Sequence, residues 1–241
     1  MKKIKVKSYI LIFLFIAAFL YNNSIAQSLS ASAGADIVSR YIWRGIEVNN
    51  TPNIQPSLAI SAVNFELGIW GSYTLSNQKF NTDEMDFYLG YNISTSSGDI
   101  SLLVTDYYFP NSGVAIDDFD DGGGAHTLEF GVGYSGTESF PITVFVAYNF
   151  YNDPGNNIYT EVGYPFTLSE IDFRAFASAT PGSKKNPIYY GTEEFKFTQL
   201  GLTASKEIKI TEDFSLPLFS SFIINPNAKI AHMVFGTGFS L

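Results

Sequence analysis

Hydrophobic and polar residues alternate with a period of two along most of the chain after Leu29. In the run from Val63 to Trp70, the odd positions are apolar and the one charged residue, Glu66, lies on an even position. In each of the clear runs the charged residues stay on a single parity. This pattern predicts β-strands with one apolar and one polar face, and helical spacing does not compete with it.

The alternation predicts about twelve strands, and ten to fourteen are consistent with it. The apolar parity switches between residues 195 and 206, which predicts a bulge near Thr198. Both parities are largely apolar in the strand that ends near residue 224, and Pro217 weakens it further. The predicted strands lie near residues 29–45, 53–62, 64–75, 83–94, 99–109, 125–135, 141–151, 157–166, 170–179, 195–210, 213–224 and 229–241.

Long and short links alternate between these strands. Residues 110–124 and 180–194 are long links, whereas residues 96–98 and 211–212 are tight turns. An even number of strands, with short turns at one end and longer loops at the other, is typical of outer-membrane barrels. The sequence therefore predicts an all-β fold, a closed antiparallel transmembrane β-barrel with both termini at the short-turn end.

Aromatic residues of the apolar parity gather near the two ends of the predicted strands, as interfacial girdles do. The set near the long loops is Tyr41, Trp43, Tyr73, Tyr148 and Phe150, and the set near the short turns is Phe65, Tyr91, Tyr134, Tyr164, Phe214 and Phe239. The alternative is a secreted soluble β-sandwich, in which the same rings would fill a core. Parity does not separate the two, because both folds have one apolar face.

Residues 1–26 have the pattern of a cleavable signal peptide. Four lysines within the first seven residues precede an apolar run from Tyr9 to Tyr21, and Ser24 and Ala26 supply small residues ahead of a cleavage site. This run of 13 residues is too short to span about 30 Å of hydrocarbon as a helix. A retained membrane anchor is the alternative. We expect residues 27–241 to form the mature barrel, located in the outer membrane of a Gram-negative bacterium.

The last predicted strand ends on its apolar parity at Leu241, with no tail after it. Bacterial outer-membrane proteins commonly end in such a strand, usually on Phe, and the barrel-assembly machinery recognises it. We therefore expect that machinery to be a partner of this chain, together with outer-membrane lipid.

Composition and charge narrow the class of protein. Aromatic residues make up 16% of the chain and charged residues 15%, where soluble domains carry roughly 25% charged residues. Loss of the four leader lysines leaves ten basic and 23 acidic residues, a net charge of about −13. Such a charge argues against nucleic-acid binding, which needs a basic face. The chain has no cysteine, which excludes disulfides and thiolate metal sites.

Charged residues of the polar parity would point into the lumen of a barrel. One interpretation is a water-filled constriction that favours cations, since carboxylates outnumber arginines there. The other is an internal network that plugs and stiffens a narrow barrel, because buried charges are tolerated only when they are paired or hydrated. The candidate pore-lining residues are Asp36, Arg40, Arg44, Glu66, Glu84, Asp86, Glu129, Glu161, Asp172 and Arg174.

Metal and catalytic chemistry find little support in the sequence. The acidic run from Asp117 to Asp121 suggests calcium, but Gly122 stands where a third oxygen ligand belongs, so a solvated surface loop is the better interpretation. His126 and His232 are the only near-neutral bases, and neither accompanies a recognisable nucleophile motif. We predict no catalytic residues, no metal site and no cofactor, with an outer-membrane hydrolase as a minor alternative.

The segment from Asp36 to Ile46, with its core Ser39-x-Tyr41-x-x-Arg44-Gly45, resembles the opening motif of the TorF-type porin family, whose members are largely uncharacterised. The resemblance extends through Pro52 to Leu58 and the next three strands, up to Pro110. It implies an outer-membrane location and a pore, but no known substrate.

From these observations we expect a narrow outer-membrane channel for small hydrophilic solutes. The alternative function is that of a non-conducting structural or adhesion barrel, which would present the loops of residues 110–124 and 180–194.

Overall fold

The computed structural model describes residues 29–76, 83–212 and 215–240. The predicted signal peptide, the girdle residue Phe214 and the terminal Leu241 lie outside these ranges. In the described part of the chain, no helix has the length and apolar character needed to cross a membrane. The strands are β1 (Ser30–Val38), β2 (Tyr41–Trp43), β3 (Ile46–Asn49), β4 (Asn53–Ala62), β5 (Phe65–Thr74), β6 (Glu84–Thr95), β7 (Gly98–Tyr108), β8 (His126–Ser135), β9 (Thr143–Tyr151), β10 (Ile158–Leu168), β11 (Ile171–Thr180), β12 (Lys196–Lys209), β13 (Ser215–Asn225) and β14 (Ile230–Ser240).

Twelve of these strands form one closed antiparallel barrel, as the sequence predicts. Each strand from β4 to β14 pairs with the next along the chain, and β1 closes the ring between β14 and β4. The closing pair runs from Gly34 opposite Ser240 to Val38 opposite Gly236. The two strands that remain, β2 and β3, pair only with each other.

The barrel is apolar outside and polar inside. Leu58, Phe65 and Phe235 are about half exposed on the outer surface, at 53%, 48% and 58%. Residues of the opposite parity, such as Glu129 and Thr180, are buried. The soluble β-sandwich is therefore wrong, because the sheet closes on itself and no second sheet in the described part of the chain covers its apolar face.

The predicted bulge lies in β12. Gln199 pairs with Ser178 and Phe197 pairs with Ala179, so Thr198 is the extra residue. Its side chain turns inward, is buried, and shares a hydrogen bond of 2.7 Å with the Ser178 hydroxyl. The bulge explains why the apolar parity of this strand switches at Thr198.

The predicted first strand, residues 29–45, is wrong in its second half. The barrel strand β1 ends at Val38, and β2 and β3 form a separate hairpin. Its two-residue turn consists of Arg44 and Gly45, whose φ angles are 51° and 83°. Positive φ at both positions matches the twist of the flanking strands, which is why such turns close tight hairpins.

This hairpin folds into the barrel instead of extending its wall. Ile42 packs against Val38, Ile223 and Val234, which line the interior. The girdle assignment of Tyr41 and Trp43 is therefore wrong: Tyr41 is buried and Trp43 packs among interior rings. Contact with the hairpin also explains why β13 is apolar on both faces, since one face lies outside the barrel and the other covers Ile42.

Closure between the first and last strands can be tested with a disulfide. Ile37 is paired with Thr237, and the Cα atoms of antiparallel partners lie about 4.5–5.5 Å apart, within the range that a disulfide bridges. We expect the Ile37→Cys/Thr237→Cys variant to oxidise to one cross-linked species, identified by mass spectrometry of the linked peptides. The chain has no other cysteine to interfere.

The control is Ile37→Cys/Met233→Cys, whose residues are four positions out of register along β14. An equal yield of cross-link in the control, or none in the test variant, would mean that the barrel is not closed in this register.

Candidate functional site

Eight of the ten predicted lumen residues lie on the inner parity of the wall strands: Asp36, Glu66, Glu84, Asp86, Glu129, Glu161, Asp172 and Arg174. The prediction that Arg40 and Arg44 also belong to the wall is wrong. Arg40 lies in the link after β1, and Arg44 lies at the tip of the hairpin. Of the ten candidates, the wall therefore contributes seven carboxylates and one arginine, and the other two arginines come from the link after β1 and from the hairpin tip.

Arg44 crosses the lumen and pairs with Glu129 on the opposite wall. Its Nη1 donates to Oε2 of Glu129 at 2.6 Å and its Nη2 to Oε1 at 2.7 Å. Tyr190 accepts a third hydrogen bond from Nη1 at 2.9 Å, and Tyr107 donates to Glu129 at 2.9 Å. The side chains of Arg44 and Glu129 are 10% and 3% exposed. A bidentate pair of this kind is short, directional and strong.

Aromatic rings enclose the same guanidinium. The Cζ atom of Arg44 lies 4.3 Å from the ring centroid of Tyr159 and 4.6 Å from that of Trp43, and the ring of Phe145 lies at 5.9 Å. Trp43 in turn stacks on Tyr190 with an interplanar angle of 10°. Cation–π attraction increases when the cation is desolvated, so these rings add to the carboxylate's hold on Arg44.

The neighbouring Gly45 seats the hairpin tip against β12. A Cβ at this position would lie 2.2 Å from the carbonyl oxygen of Thr198, so no larger residue fits. The Gly45 carbonyl also accepts a hydrogen bond of 3.0 Å from the side chain of Asn225. The bulge at Thr198 and the tip of the hairpin therefore fit each other at one point of the wall.

A second ionic contact holds the returning strand of the hairpin. Glu47 lies 3.0 Å from Arg40 and 3.3 Å from Nδ1 of His232 on β14. The Nε2 atom of the same imidazole is buried without a hydrogen-bond partner. His232 thus anchors the hairpin through Glu47.

Two further groups of lumen residues flank the hairpin. Glu161 accepts hydrogen bonds from Tyr159 and Arg174, both at 2.5 Å, and from Gln199 at 2.9 Å. On the other side, Glu84 hydrogen-bonds to Tyr41 of the hairpin and to the adjacent Asp86. The Oδ1 atom of Asp86 has no partner. The acidic side of the lumen is therefore less completely neutralised than the side that Arg44 occupies.

The interior is not solid beside the hairpin. A cavity of about 200 Å³ lies between Tyr41 and Ile42 of the hairpin and Gln55, Trp70 and Ser221 of the wall. This volume is large enough for several waters and has polar groups to hold them.

The loop between β11 and β12 lies over the hairpin at the long-loop end of the barrel and carries Tyr189 and Tyr190. Both rings pack against Trp43. Burial raises the pKa of Tyr190 to about 12, and Arg44 opposes the shift, so this hydroxyl stays protonated over the physiological range. The loop therefore completes the pocket around Arg44 with a neutral acceptor.

Asp153 lies in the link between β9 and β10 and connects this link to the loop between β11 and β12. The carboxylate accepts hydrogen bonds from Asn186 at 2.9 Å, from Asn157 at 2.9 Å and from Asn149 at 2.9 Å. Burial opposes its ionisation, but these hydrogen bonds outweigh it and lower the pKa of Asp153. The stabilisation is present above the usual Asp pKa of about 3.9 and is lost as the pH falls through the lower folded value.

Sequence reasoning missed Tyr107, Tyr159, Tyr190 and Asp153. A signal was present for two of them, because Tyr107 and Tyr159 lie on the inner, polar parity of their strands. A ring on that parity needs a partner inside the lumen. The other two lie in loops, where alternation carries no information.

The acidic loop and His126 are the remaining candidates for chemistry. Asp117, Asp120 and Asp121 are exposed, and the described residues contain no group of acidic or histidine side chains that could hold a metal ion. The ring of His126 stacks on Phe119 at 3.9 Å, and its nitrogens contact Asp106 at 2.9 Å and the Ile116 carbonyl at 2.6 Å. The acidic loop is therefore pinned to the wall through His126.

Comparison with known proteins gives a family and a fold. A family model described as a bacterial protein of unknown function (Gcw_chp) matches residues 23–215. No curated protein sequence matches the chain. A chain from work on the in-meso crystallization of membrane proteins is similar at 8% identity with a TM-score of 0.51, over 88% of this chain and 83% of that one.

Two further solved structures have lower scores. The NanC porin gives 8% identity and a TM-score of 0.47 over 87% of this chain and 98% of that one. The translocator domain of the autotransporter NalP from Neisseria meningitidis gives 9% and 0.43, over 97% of both chains. At these identities, likeness concerns the fold alone.

The role of Asp153 predicts that Asp153→Asn releases the loop between β11 and β12. We expect trypsin to cleave after the exposed Lys184 and Lys185 at least about tenfold faster, since a hydrogen bond to a charged group contributes about 1.5–3 kcal/mol. Asp121→Asn is the matched control, because Asp121 is exposed in a different loop. Equal cleavage rates in the wild type and the Asp153 variant would show that the carboxylate does not hold the loop.

Proposed function

We propose that this chain, which belongs to the bacterial family of unknown function described as Gcw_chp, is an outer-membrane channel for small hydrophilic solutes whose lumen is narrowed by its own hairpin. The hairpin comprises β2 and β3, residues Tyr41–Asn49. The resemblance of residues 36–110 to the TorF-type porins supports the same function, and membership of that family stays a prediction.

The outer surface of the barrel supports a membrane location. Apolar side chains surround it, and soluble monomers rarely expose a continuous apolar surface of this extent. Tyr148 and Phe150 lie near the long loops, and Phe65, Tyr164 and Phe239 lie near the short turns, where rings suit the lipid–water interface. Export by a signal peptide of residues 1–26, removed to leave a mature barrel of residues 27–241, and assembly through the last strand are part of this proposal.

The channel function is supported mainly by the position of the β2–β3 hairpin inside the barrel. The lumen contains a connection between β1 and β4 in addition to the side chains of the wall. A connection can move without breaking any pairing of the barrel. The excess of carboxylates on the inner wall then gives a path that suits hydrated cations better than anions.

Removal of the hairpin should widen the path. We expect the wild-type protein in a planar lipid bilayer to show small conductance steps, and a variant with Tyr41–Asn49 replaced by a short Gly-Ser link to show steps at least about threefold larger. Conductance grows with the open cross-section of a pore, which is why the difference should be large. Replacement of the exposed Asp117, Asp120 and Asp121 by Ser is the control and should leave the steps unchanged.

Absence of steps from both the wild type and the hairpin variant would contradict a channel. It would favour the non-conducting barrel that presents the loops of residues 110–124 and 180–194.

The excess of lumen carboxylates predicts the ion preference. In the hairpin-replaced barrel, Glu84→Gln/Asp86→Asn should reduce the preference for potassium over chloride, measured as the reversal potential in a KCl gradient. The two side chains share a hydrogen bond and therefore a proton, so the variant removes at most one negative charge from the acidic side of the wall. Asp117→Asn removes one negative charge from an exposed loop and should change the reversal potential much less. An equal shift in both variants would assign the preference to surface charge instead.

A further inference from the structure

We propose that the pocket around Arg44 is a binding site for solutes that carry a guanidinium group, and that Arg44 occupies this site when no such solute is present. This inference rests on the proposed channel function, because a solute reaches Glu129 only through the lumen. It names the solute class that the channel would recognise.

The pocket belongs to the barrel and not to the hairpin. Glu129 lies on β8, Tyr107 on β7 and Tyr159 on β10. Phe145 comes from β9 and Tyr190 from the loop between β11 and β12. Among the described residues that contact the guanidinium, Trp43 alone belongs to the hairpin. If the hairpin moved away, the carboxylate, both tyrosine hydroxyls and two of the three rings would stay in place.

The geometry of the pocket selects a planar cation with two parallel donors. The two oxygens of Glu129 each accept from a different nitrogen of Arg44, at 2.7 and 2.6 Å. The Tyr159 ring lies against the guanidinium at 4.3 Å. An ammonium group offers a compact point charge and cannot make both contacts at once. The pocket should therefore prefer a guanidinium to an ammonium of similar size.

Burial of Glu129 couples the hairpin to the solute. Arg44 is the cation that pairs with this carboxylate, which is 3% exposed. Withdrawal of Arg44 without replacement would leave a buried, unpaired charge, which is strongly unfavourable. Exchange of Arg44 for the guanidinium of a solute avoids that cost. A solute that binds only the withdrawn state shifts the population toward it, so the same molecule that is transported would open its own path.

The test uses ethylguanidinium as the probe and the purified, detergent-solubilised full barrel. We expect Arg44→Ala to bind ethylguanidinium at least tenfold more tightly than the wild type does, by isothermal titration calorimetry, because the competing side chain is gone. The same variant should bind ethylammonium at least tenfold more weakly than ethylguanidinium. Addition of Glu129→Gln to Arg44→Ala should abolish the gain.

Lys206→Ala is the control. It removes an exposed cation that contacts Glu170 in the turn between β10 and β11 and leaves the Glu129 pocket occupied, so no gain in affinity is expected. A second measurement does not depend on how Arg44→Ala folds. In a Trp70→Phe background, which leaves Trp43 as the only tryptophan, ethylguanidinium should shift the fluorescence of Trp43 to longer wavelength as the hairpin leaves the ring cluster. Ethylammonium at the same concentration should shift it less.

The outcomes separate this inference from the channel function, because binding in detergent does not require conduction. Conductance steps together with no guanidinium binding in either measurement would overturn the inference and leave the channel intact. Guanidinium binding that depends on Glu129, without conductance steps, would support the pocket and overturn the channel. Equal affinity for ethylguanidinium and ethylammonium would show a general cation site and overturn the selectivity argued here.

Discussion

A sheet that turns its apolar side outward must satisfy its polar side within its own interior, and this constraint organises the whole molecule. Closure of β1 onto β14 removes both sheet edges, so every strand finds a partner on each side. The same closure collects the charges of the inner parity into one narrow space. Buried carboxylates in such a space need cations, hydrogen-bond donors or water.

The hairpin β2–β3 meets part of that need, at Glu129 and Glu84. Arg44 neutralises Glu129 across the lumen, and Tyr41 donates to Glu84 on the other side. Glu47 forms an ion pair with Arg40 and contacts His232. Ile42 of the hairpin faces an apolar part of the inner wall, around Val38, Ile223 and Val234. The hairpin surface therefore complements the inner wall at Glu129, at Glu84, at His232 and at the apolar group around Val38.

The fit between the hairpin and the inner wall can serve either the stability of the barrel or the control of access to its lumen. The sequence leaves open whether the lumen charges form a plugging network or line a channel. The two interpretations are compatible if the network is built on the β2–β3 hairpin and the hairpin can move out of the lumen. The cation that fills the pocket is covalently attached, so it competes at high local concentration with any free solute. A solute must therefore resemble the guanidinium closely to displace it.

Most of the fold could be predicted from the sequence, because alternation is a local property: neighbours at positions i and i+2 share a face of any β-strand. That rule located the barrel strands to within a few residues, the bulge at Thr198 and the inner parity of Glu129. It failed for Tyr41 and Trp43, whose alternation continues that of β1 although Arg44 and Gly45 reverse the chain between them and Ile46.

Only the tertiary structure decided what fills the lumen. Arg44 and Glu129 are 85 positions apart, and Tyr190 is 146 positions from Arg44. No periodicity connects residues so distant, because their contact depends on how many strands close the ring and on which connection folds inside it. The sequence by itself determined which residues face the interior, whereas closure of the barrel determined which of them meet.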